Sequence, residues 1–240
     1  MVLLTIAIPS HNENTLFVEN AIESIIYEPL FGKDINLIIS DNSISNKTKI
    51  LYESKYFSKN YIKYFNSKEY KSLDSNVNRA VQISDSEYVW IFGDDDLLIP
   101  GVLKKIIFFI KINKPYFVVL NSQSFKNGDL IEESRVFNGA KKTYSQHENN
   151  KFLSDLGGYL TYVGCILVRR NLWIDNYDSS KIGTYFAHID CIASIKNNSI
   201  AHYFFEPAIL MRIGSQTWTS KSFLIWNFYY PELIWGLDGY

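Results

Sequence analysis

The stretch Glu87–Gly101 reads EYVWIFGDDDLLIPG. Its apolar and aromatic part, Tyr88–Phe92, suits a strand that is buried on both faces. One glycine later come three adjacent carboxylates, Asp94–Asp96. Like charges this close repel one another, and a cation that prefers oxygen ligands, such as Mg²⁺ or Mn²⁺, would neutralise them. The stretch therefore predicts a strand that ends in a metal-binding acidic loop, with a solvated acidic turn before the next helix as the plainer alternative.

Strands and helices alternate on both sides of this stretch. Apolar runs predict further strands at 3–8, 35–40, 61–65 and 116–120, and helical periodicity predicts helices at 15–27, around 77–81 and after Pro100-Gly101. This alternation predicts an α/β fold, with a mostly parallel sheet flanked by helices. Polar clusters follow three of the strands, at 10–13, 41–43 and 94–96. Ligands bind at the carboxyl ends of such strands, so we expect these clusters to form one site.

The second half of the chain has weaker patterns. Asn127-Gly128 predicts a hairpin between 122–125 and 130–137, and further strands are expected at 162–168 and 201–205. Helical segments are expected at 144–156 and 189–196. We therefore divide the chain into a nucleotide-sugar-binding half (1–121), an acceptor-binding half of the same domain (122–217) and an aromatic C-terminal segment (218–240).

Composition narrows the classes of function. The 240 residues are 47% apolar and carry a net charge of −1, so no global field favours nucleic acid. No signal peptide and no run of about 20 apolar residues is present, which predicts a cytoplasmic protein. The C-terminal aromatics suit either a helix packed on the domain or a peripheral contact with the inner face of a membrane. No sequence feature fixes the oligomeric state.

Four motifs occur in a fixed order: TIAIPSHNE (5–13), LIISDNS (37–43), DSNVNRA (74–80) and the opening stretch. Together they resemble glycosyltransferase family 2 of the GT-A fold, especially the abequosyltransferase-like branch that builds bacterial surface polysaccharides. The resemblance implies a Rossmann-like nucleotide-diphospho-sugar transferase fold. It also implies a metal-dependent, inverting transfer from a nucleotide sugar, with UDP favoured, to a glycan or lipid-linked saccharide acceptor in capsule or O-antigen synthesis.

The resemblance also assigns residues to the nucleotide. Pro9, His11 and Glu13 match the loop that packs on and hydrogen-bonds the base, although family members more often have Tyr where His11 stands. Asp41 matches the carboxylate that reads the uracil N3–H and suits a simple turn equally. These four residues are the predicted base-binding set.

A second segment, with Asp74, Asn76 and Arg79, matches the part of the family that borders the nucleotide. Asp74 suits an N-cap as well, and Arg79 suits pairing with either a phosphate or a core carboxylate. Later in the chain, Arg212 resembles an arginine that contacts the diphosphate or belongs to a flexible loop.

The register within the acidic triplet is open. Aligned on the residues that follow, the usual first aspartate of the family is replaced by Gly93, and Asp95 becomes the metal ligand. As a literal DxD motif, Asp94 and Asp96 would bracket the site. We expect Asp94 near the ribose or the metal, and Asp96 or Asp95 as the direct ligand.

The resemblance places the catalytic base in the second half of the chain. Asp190 begins a helical stretch where the family has an aspartate that deprotonates the acceptor hydroxyl. The glutamate that usually precedes it is Ile189 here, and His188 is a rival base or an orienting partner. Two other functions stay open: a nucleotidyltransferase, which would want a glycine-rich basic loop after the first strand, and a catalytically inactive nucleotide- or carbohydrate-binding module.

Overall fold

The computed structural model describes residues 2–11, 13–136, 139–214 and 219–237. Within these ranges the strands are β1 (Leu4–Ser10), β2 (Ile35–Asp41), β3 (Ile62–Asn66), β4 (Tyr88–Ile91), β5 (Leu97–Leu98), β6 (Phe117–Lys126), β7 (Asp129–Glu132), β8 (Thr143–Tyr144), β9 (Ile166–Arg169) and β10 (Ala201–Arg212). They form one mixed sheet in the order β3-β2-β1-β4-β9-β6-β10-β5, with β7 paired to β6 and β8 paired to β10.

The central part of this sheet is mostly parallel, as predicted. Strands β3, β2, β1 and β4 are parallel neighbours, and β6 and β10 form a second parallel pair. The reversed strand β9 lies between β4 and β6 and is antiparallel to both. Because β6 runs through the expected boundary at residue 121, the two predicted halves share a single sheet.

The helices are α1 (Thr15–Ile26), α2 (Lys47–Lys55), α3 (Leu73–Gln82), α4 (Val102–Asn113), α5 (Asn149–Phe152), α6 (Arg170–Asn176), α7 (Ala187–Asn197), α8 (Ser222–Leu224) and α9 (Tyr230–Trp235). A π-helical turn follows α5 at Leu153–Gly157, and another joins α8 to α9 at Ile225–Tyr229. Each helix in the described ranges is too short or too polar to cross a lipid bilayer.

Two hydrophobic layers cover the faces of the sheet. On β1, Leu4, Ile6 and Ile8 point into the layer that contains α1 and α4. Ala7 points to the opposite layer, which contains α3 and α7. This alternation follows from the two-residue period of a strand, and it explains why β1 is apolar throughout.

Local signals set several of these boundaries. Asn14 caps α1 through a 3.2 Å hydrogen bond from the Leu16 N–H. The N-cap of α3 is Ser72, whose hydroxyl accepts from the Ser75 N–H at 3.1 Å, so Asp74 is not the cap. The hairpin turn is also as expected, with positive φ at Asn127 and Gly128.

Some elements differ from the sequence prediction. Helix α2 was not expected, because it is polar and buries only Thr48 and Leu51. The predicted strand at 162–168 begins only at Ile166, because Val163–Cys165 forms a 3₁₀ turn. The predicted strand at 201–205 continues to Arg212, which brings the end of β10 beside the acidic loop.

Candidate active site

The ends of β1, β2 and β4 meet at one edge of the sheet, as the polar clusters predict. The Ser10 hydroxyl and the His11 backbone N–H both donate to Asp94 Oδ2, at 2.9 and 3.0 Å. His11 Nδ1 lies 3.0 Å from Asn42 Oδ1. These contacts join three loops that are separated in sequence, and they tie Asp94 to the start of the first loop.

Within the acidic triplet, Asp96 points into the protein. It is 2% exposed, its Oδ2 accepts from the Tyr162 hydroxyl at 2.5 Å, and its Oδ1 accepts from the Arg212 backbone N–H at 2.8 Å. Burial, reinforced by the charge of Asp95, raises the pKa of Asp96 to about 8. A Cβ atom at Gly93 would collide with the Asp96 carboxylate, which explains the glycine at this position.

The side chain of Arg212 fastens the same loop from outside. Its Nε donates to the Asp95 carbonyl at 2.8 Å. Its guanidinium carbon lies 4.2 Å from the ring centre of Phe17 and 4.6 Å from that of Phe125. Arg212 therefore holds the backbone of the acidic loop, and its predicted contact with a diphosphate or role in a flexible loop stays a prediction.

The two other carboxylates of the triplet, Asp94 and Asp95, are half-buried. In the described part of the chain no cluster of three or more His, Cys, Asp or Glu side chains could hold a metal by itself. This donor set does fit Mg²⁺ or Mn²⁺ bound mainly by phosphate oxygens, because such ions need only one or two carboxylates from the protein. Asp95 suits that role best, because its neighbour Asp96 is buried and points into the protein.

The predicted base-reading residue Asp41 is fully buried. Its Oδ2 accepts from the Tyr64 hydroxyl at 2.8 Å, and its Oδ1 accepts from the Ser43 N–H at 2.9 Å. The next residue, Asn42, lines the cavity beside His11. Asn42 was not predicted as a site residue, although it lies in the LIISDNS motif.

The predicted residues Asn76, Glu13 and Arg79 differ in whether they face the cavity, the solvent or the protein interior. Asn76 lines the cavity, and its Nδ2 donates to the Ser10 and Ser40 carbonyls at 3.2 and 3.0 Å. Glu13 is exposed and binds Ser45, and the hydrogen bonds from Ser45 lower the pKa of Glu13. Arg79 lies with its guanidinium 5.4 Å from the ring centre of Tyr70, and its buried Nε has no hydrogen-bond partner among the described residues.

A cavity of about 510 Å³ opens at this edge of the sheet. The loops after β1 and β2 and the start of α3 form one part of its wall, and the turn before α7 and the C-terminal segment form the rest. Its lining residues are Pro9, His11, Asn42, Lys71, Ser72, Leu73, Asp74, Asn76, Gly183, Tyr185, Ser220, Lys221, Leu224 and Tyr229. Of this wall, Tyr185, Ser220, Lys221 and Leu224 were not predicted from the sequence.

The predicted catalytic residues lie in the first turn of α7. Asp190 is half-buried there. His188 is 3% exposed, its Nε2 lies 3.0 Å from the Leu160 carbonyl, and burial lowers its pKa. Because a carbonyl only accepts hydrogen bonds, His188 Nε2 carries a proton and donates it to the Leu160 carbonyl. The ring is therefore packed inside the protein and does not face solvent.

Asp74 links the two sides of the cavity. It is 3% exposed, and its Oδ2 accepts from the backbone N–H groups of Gly183 and Tyr185 at 2.8 and 2.9 Å. Its Oδ1 accepts from the N–H of Ala187, the first residue of α7, at 3.2 Å. The predicted nucleotide neighbour is thus bound to the protein through both carboxylate oxygens.

Comparisons with known proteins identify the family of the chain. Residues 5–173 match the family model described as glycosyl transferase family 2. The abequosyltransferase RfbV of Salmonella typhimurium is 25% identical over 234 residues, which cover 91% of this chain and 69% of that protein. A GalNAc(5)-diNAcBac-PP-undecaprenol beta-1,3-glucosyltransferase of Campylobacter jejuni is 32% identical over 132 residues, or 54% of this chain and 41% of that protein.

Solved structures support the fold. The crystal structure of a Staphylococcus aureus TarS fragment (1–349) in complex with UDP has a TM-score of 0.68 at 14% identity, and covers 99% of this chain and 67% of the fragment. A longer TarS structure has a TM-score of 0.67 at 12% identity, with 40% of that chain covered. At such identities the likeness shows the fold alone, which is the expected mixed α/β fold.

Proposed function

Because the chain belongs to glycosyltransferase family 2, we propose that it transfers a sugar from a nucleoside diphosphate, with UDP favoured, to a glycan or lipid-linked acceptor in bacterial surface polysaccharide synthesis. The observation that carries the proposal is the cavity of about 510 Å³ at the strand ends, beside the acidic loop. A TarS fragment of the same fold binds UDP, which supports the choice of base.

In this proposal the nucleoside occupies the cavity. His11 and Asn42 offer ring and amide groups to the base, and Asn76 lines the cavity beside them. Asp41 supports this edge from behind, since both of its oxygens already accept hydrogen bonds from Tyr64 and Ser43. Because Asp41 is fully buried, a direct contact with uracil would require the surrounding residues to move.

Asp95 would hold the divalent cation, together with phosphate oxygens of the donor. A bound Mg²⁺ or Mn²⁺ offsets the charge that develops on the leaving diphosphate. Asp94, fixed by Ser10 and His11, would face the ribose or the same cation. Asp96 and Arg212 hold the loop that presents these two carboxylates.

Asp190 would act as the catalytic base. Attack of an acceptor hydroxyl on the anomeric carbon requires removal of the hydroxyl proton, and a single displacement of this kind inverts the anomeric configuration. This aspartate lies in the first turn of α7, where the helix dipole favours a negative charge. His188 is excluded from this role in our proposal, because it is buried against the Leu160 carbonyl.

The C-terminal segment exposes several aromatic side chains that could contact a membrane carrying a lipid-linked acceptor. Phe223, Phe228 and Trp235 are 69%, 53% and 86% exposed, although Ile225 and Leu233 of the same segment are buried in the core. Aromatic rings of this kind partition into the membrane interface. We propose a peripheral contact there, at the surface where a lipid-linked acceptor resides.

Calorimetric titration of UDP in the presence and absence of Mn²⁺ tests the proposal. We expect saturable, Mn²⁺-dependent binding, and we expect Asp95→Asn to weaken it at least about tenfold, because the cation loses a protein ligand. Asp129→Asn, an exposed change on β7, is the matched control and should bind UDP as the wild type does. Absence of binding for every nucleoside diphosphate with Mn²⁺, and of turnover with a panel of nucleotide sugars, would refute the proposed function.

A further inference from the structure

The turn Gly183–Ala187 has an unusual backbone. Gly183 and Tyr185 have φ values of 101° and 71°. For a non-glycine residue such as Tyr185 this conformation is strained, and it persists only where the surrounding structure enforces it. Strain of this kind concentrates at ligand-binding positions. Tyr185 lies at one, since it lines the cavity.

The group that enforces this conformation is the carboxylate of Asp74. It accepts hydrogen bonds from Gly183, Tyr185 and Ala187, more than 100 residues later in the chain. Asp74 itself lies in the first turn of α3, and Ala187 begins α7. The negative charge is thus held between two helix N-termini, where the helix dipoles favour it.

The ring of Tyr185 is also contacted from the C-terminal segment. Lys221 Nζ lies 5.7 Å from the centre of this ring, and a hydrogen bond with the Tyr185 side chain raises the pKa of Lys221. Both side chains line the cavity. Tyr185 therefore joins the two late parts of the cavity wall, and Asp74 fixes where it stands.

We propose that Asp74 is a positioning residue, which holds the turn Gly183–Ala187 so that Tyr185 forms an aromatic wall against the bound nucleoside diphosphate. In this inference Asp74 acts on the ligand through Tyr185, because its carboxylate is 3% exposed and already accepts three backbone N–H groups of the turn. The inference rests on the proposed function in one respect, namely that the cavity receives a nucleoside diphosphate.

A double-mutant cycle on the affinity for UDP with Mn²⁺ tests the role of Tyr185. We expect Tyr185→Ala to weaken binding about fivefold to tenfold, as is typical for the loss of one aromatic contact. Asp74→Asn should weaken binding to a similar degree, because an amide cannot accept all three hydrogen bonds. The double variant should bind no more weakly than Tyr185→Ala alone. Multiplied effects would show that Asp74 contacts the nucleotide itself, and an unchanged affinity for Tyr185→Ala would remove the aromatic wall.

Two further variants keep the test decisive. Asp178→Asn is the matched control, because Asp178 is exposed and its carboxylate holds only the Ser180 turn. It should leave UDP affinity unchanged. If Asp74→Asn fails to fold, Gly183→Ala replaces it in the cycle, since the added Cβ meets open space and only the backbone of the turn is strained.

Amide hydrogen exchange separates failure of this inference from failure of the proposed function. The N–H groups of Gly183, Tyr185 and Ala187 should be protected in the unliganded wild type and should lose protection in Asp74→Asn. Unchanged protection would overturn the positioning role. If the wild type binds no UDP but Asp74→Asn loses this protection, the proposed ligand and the aromatic wall are refuted. The role of Asp74 in holding the turn is then still established.

Discussion

Two buried carboxylates, Asp96 and Asp74, each organise one loop of the site, and they do so in different surroundings. Asp96 points from the acidic loop into the protein, where it accepts hydrogen bonds from the Tyr162 hydroxyl and the Arg212 N–H. It shares that space with the charge of Asp95, and burial raises the pKa of Asp96 to about 8. Asp74 lies outside the turn that it organises and receives three backbone N–H groups.

A carboxylate in a binding motif can hold the protein backbone instead of the ligand. Asp96 and Asp74 are both buried with protein donors on each oxygen, and each fixes residues that face the cavity or the loop surface. Asp96 sets the loop that carries Asp94 and Asp95, and Asp74 sets Tyr185 and the start of α7. Substitutions in the two loops should therefore separate ligand-contacting groups from those that hold the backbone.

The largest expected effect is in the first turn of α7, which begins at Ala187, where the turn held by Asp74 ends. Asp190→Asn should lower kcat by about 10²–10⁴-fold, the usual contribution of a general base, because an amide cannot take the acceptor proton. Its affinity for UDP with Mn²⁺ should stay near that of the wild type. Initial rates with a donor and acceptor pair, together with calorimetric titration, measure both quantities. Asp175→Asn, an exposed change on α6, is the control, and near-normal turnover of Asp190→Asn would place the base elsewhere.

A matched pair of glycine substitutions compares the two loops directly. In Gly93→Ala the new Cβ collides with the Asp96 carboxylate, whereas in Gly183→Ala it meets open space and only the positive φ is strained. We expect Gly93→Ala to lower the free energy of unfolding by about 3 kcal/mol and Gly183→Ala by about 1 kcal/mol. Urea denaturation measures both values.

Gly101→Ala is the control for this pair, because Gly101 has a positive φ and open space around its Cα but lies outside both loops. It should lose about as much stability as Gly183→Ala, near 1 kcal/mol. Because Gly93 does not have a positive φ, an absent loss in Gly93→Ala would mean that the Asp96 carboxylate moves aside at no cost, and Asp96 would then not be the fixed element of its loop.

The strand ends of the first half could be predicted from the sequence. Strands buried on both faces leave continuous apolar runs, and a polar cluster directly after such a run marks the edge where ligands bind. The ends of β1, β2 and β4 were predicted in this way, and His11 and Asp94 meet there as expected. The resemblance to a known family pointed to the same loops.

The roles of neighbouring residues within each cluster could not be predicted in the same way. Asp94, Asp95 and Asp96 are chemically identical, and which of them turns inward depends on Tyr162 and Arg212, 66 and 116 residues after Asp96. Likewise Tyr185 enters the cavity only because Asp74 holds its backbone from 111 residues away. Side-chain contacts over such separations leave no periodic signal in a single sequence.

The smallest expected effect concerns His188, which packs in the region that Asp74 organises. Burial lowers the pKa of His188, and the charge of Asp74 opposes this shift without reversing it. A histidine whose pKa is lower in the folded state binds fewer protons there than in the unfolded chain. Its contribution to stability is therefore complete above the unfolded pKa of about 6.5 and is lost as the pH falls below that value.

We therefore expect the free energy of unfolding to decrease below pH 6.5, by up to about 1.4 kcal/mol per pH unit for His188. His202, whose pKa burial also lowers, adds a similar dependence of its own. His188→Gln should remove the part of this pH dependence of the free energy of unfolding that comes from His188. His147→Gln, at an exposed position, should leave the pH dependence unchanged. An unaltered slope in His188→Gln would mean that this ring takes up protons equally in the folded and unfolded states. The region around Asp74 would then be hydrated, unlike the buried surroundings of Asp96.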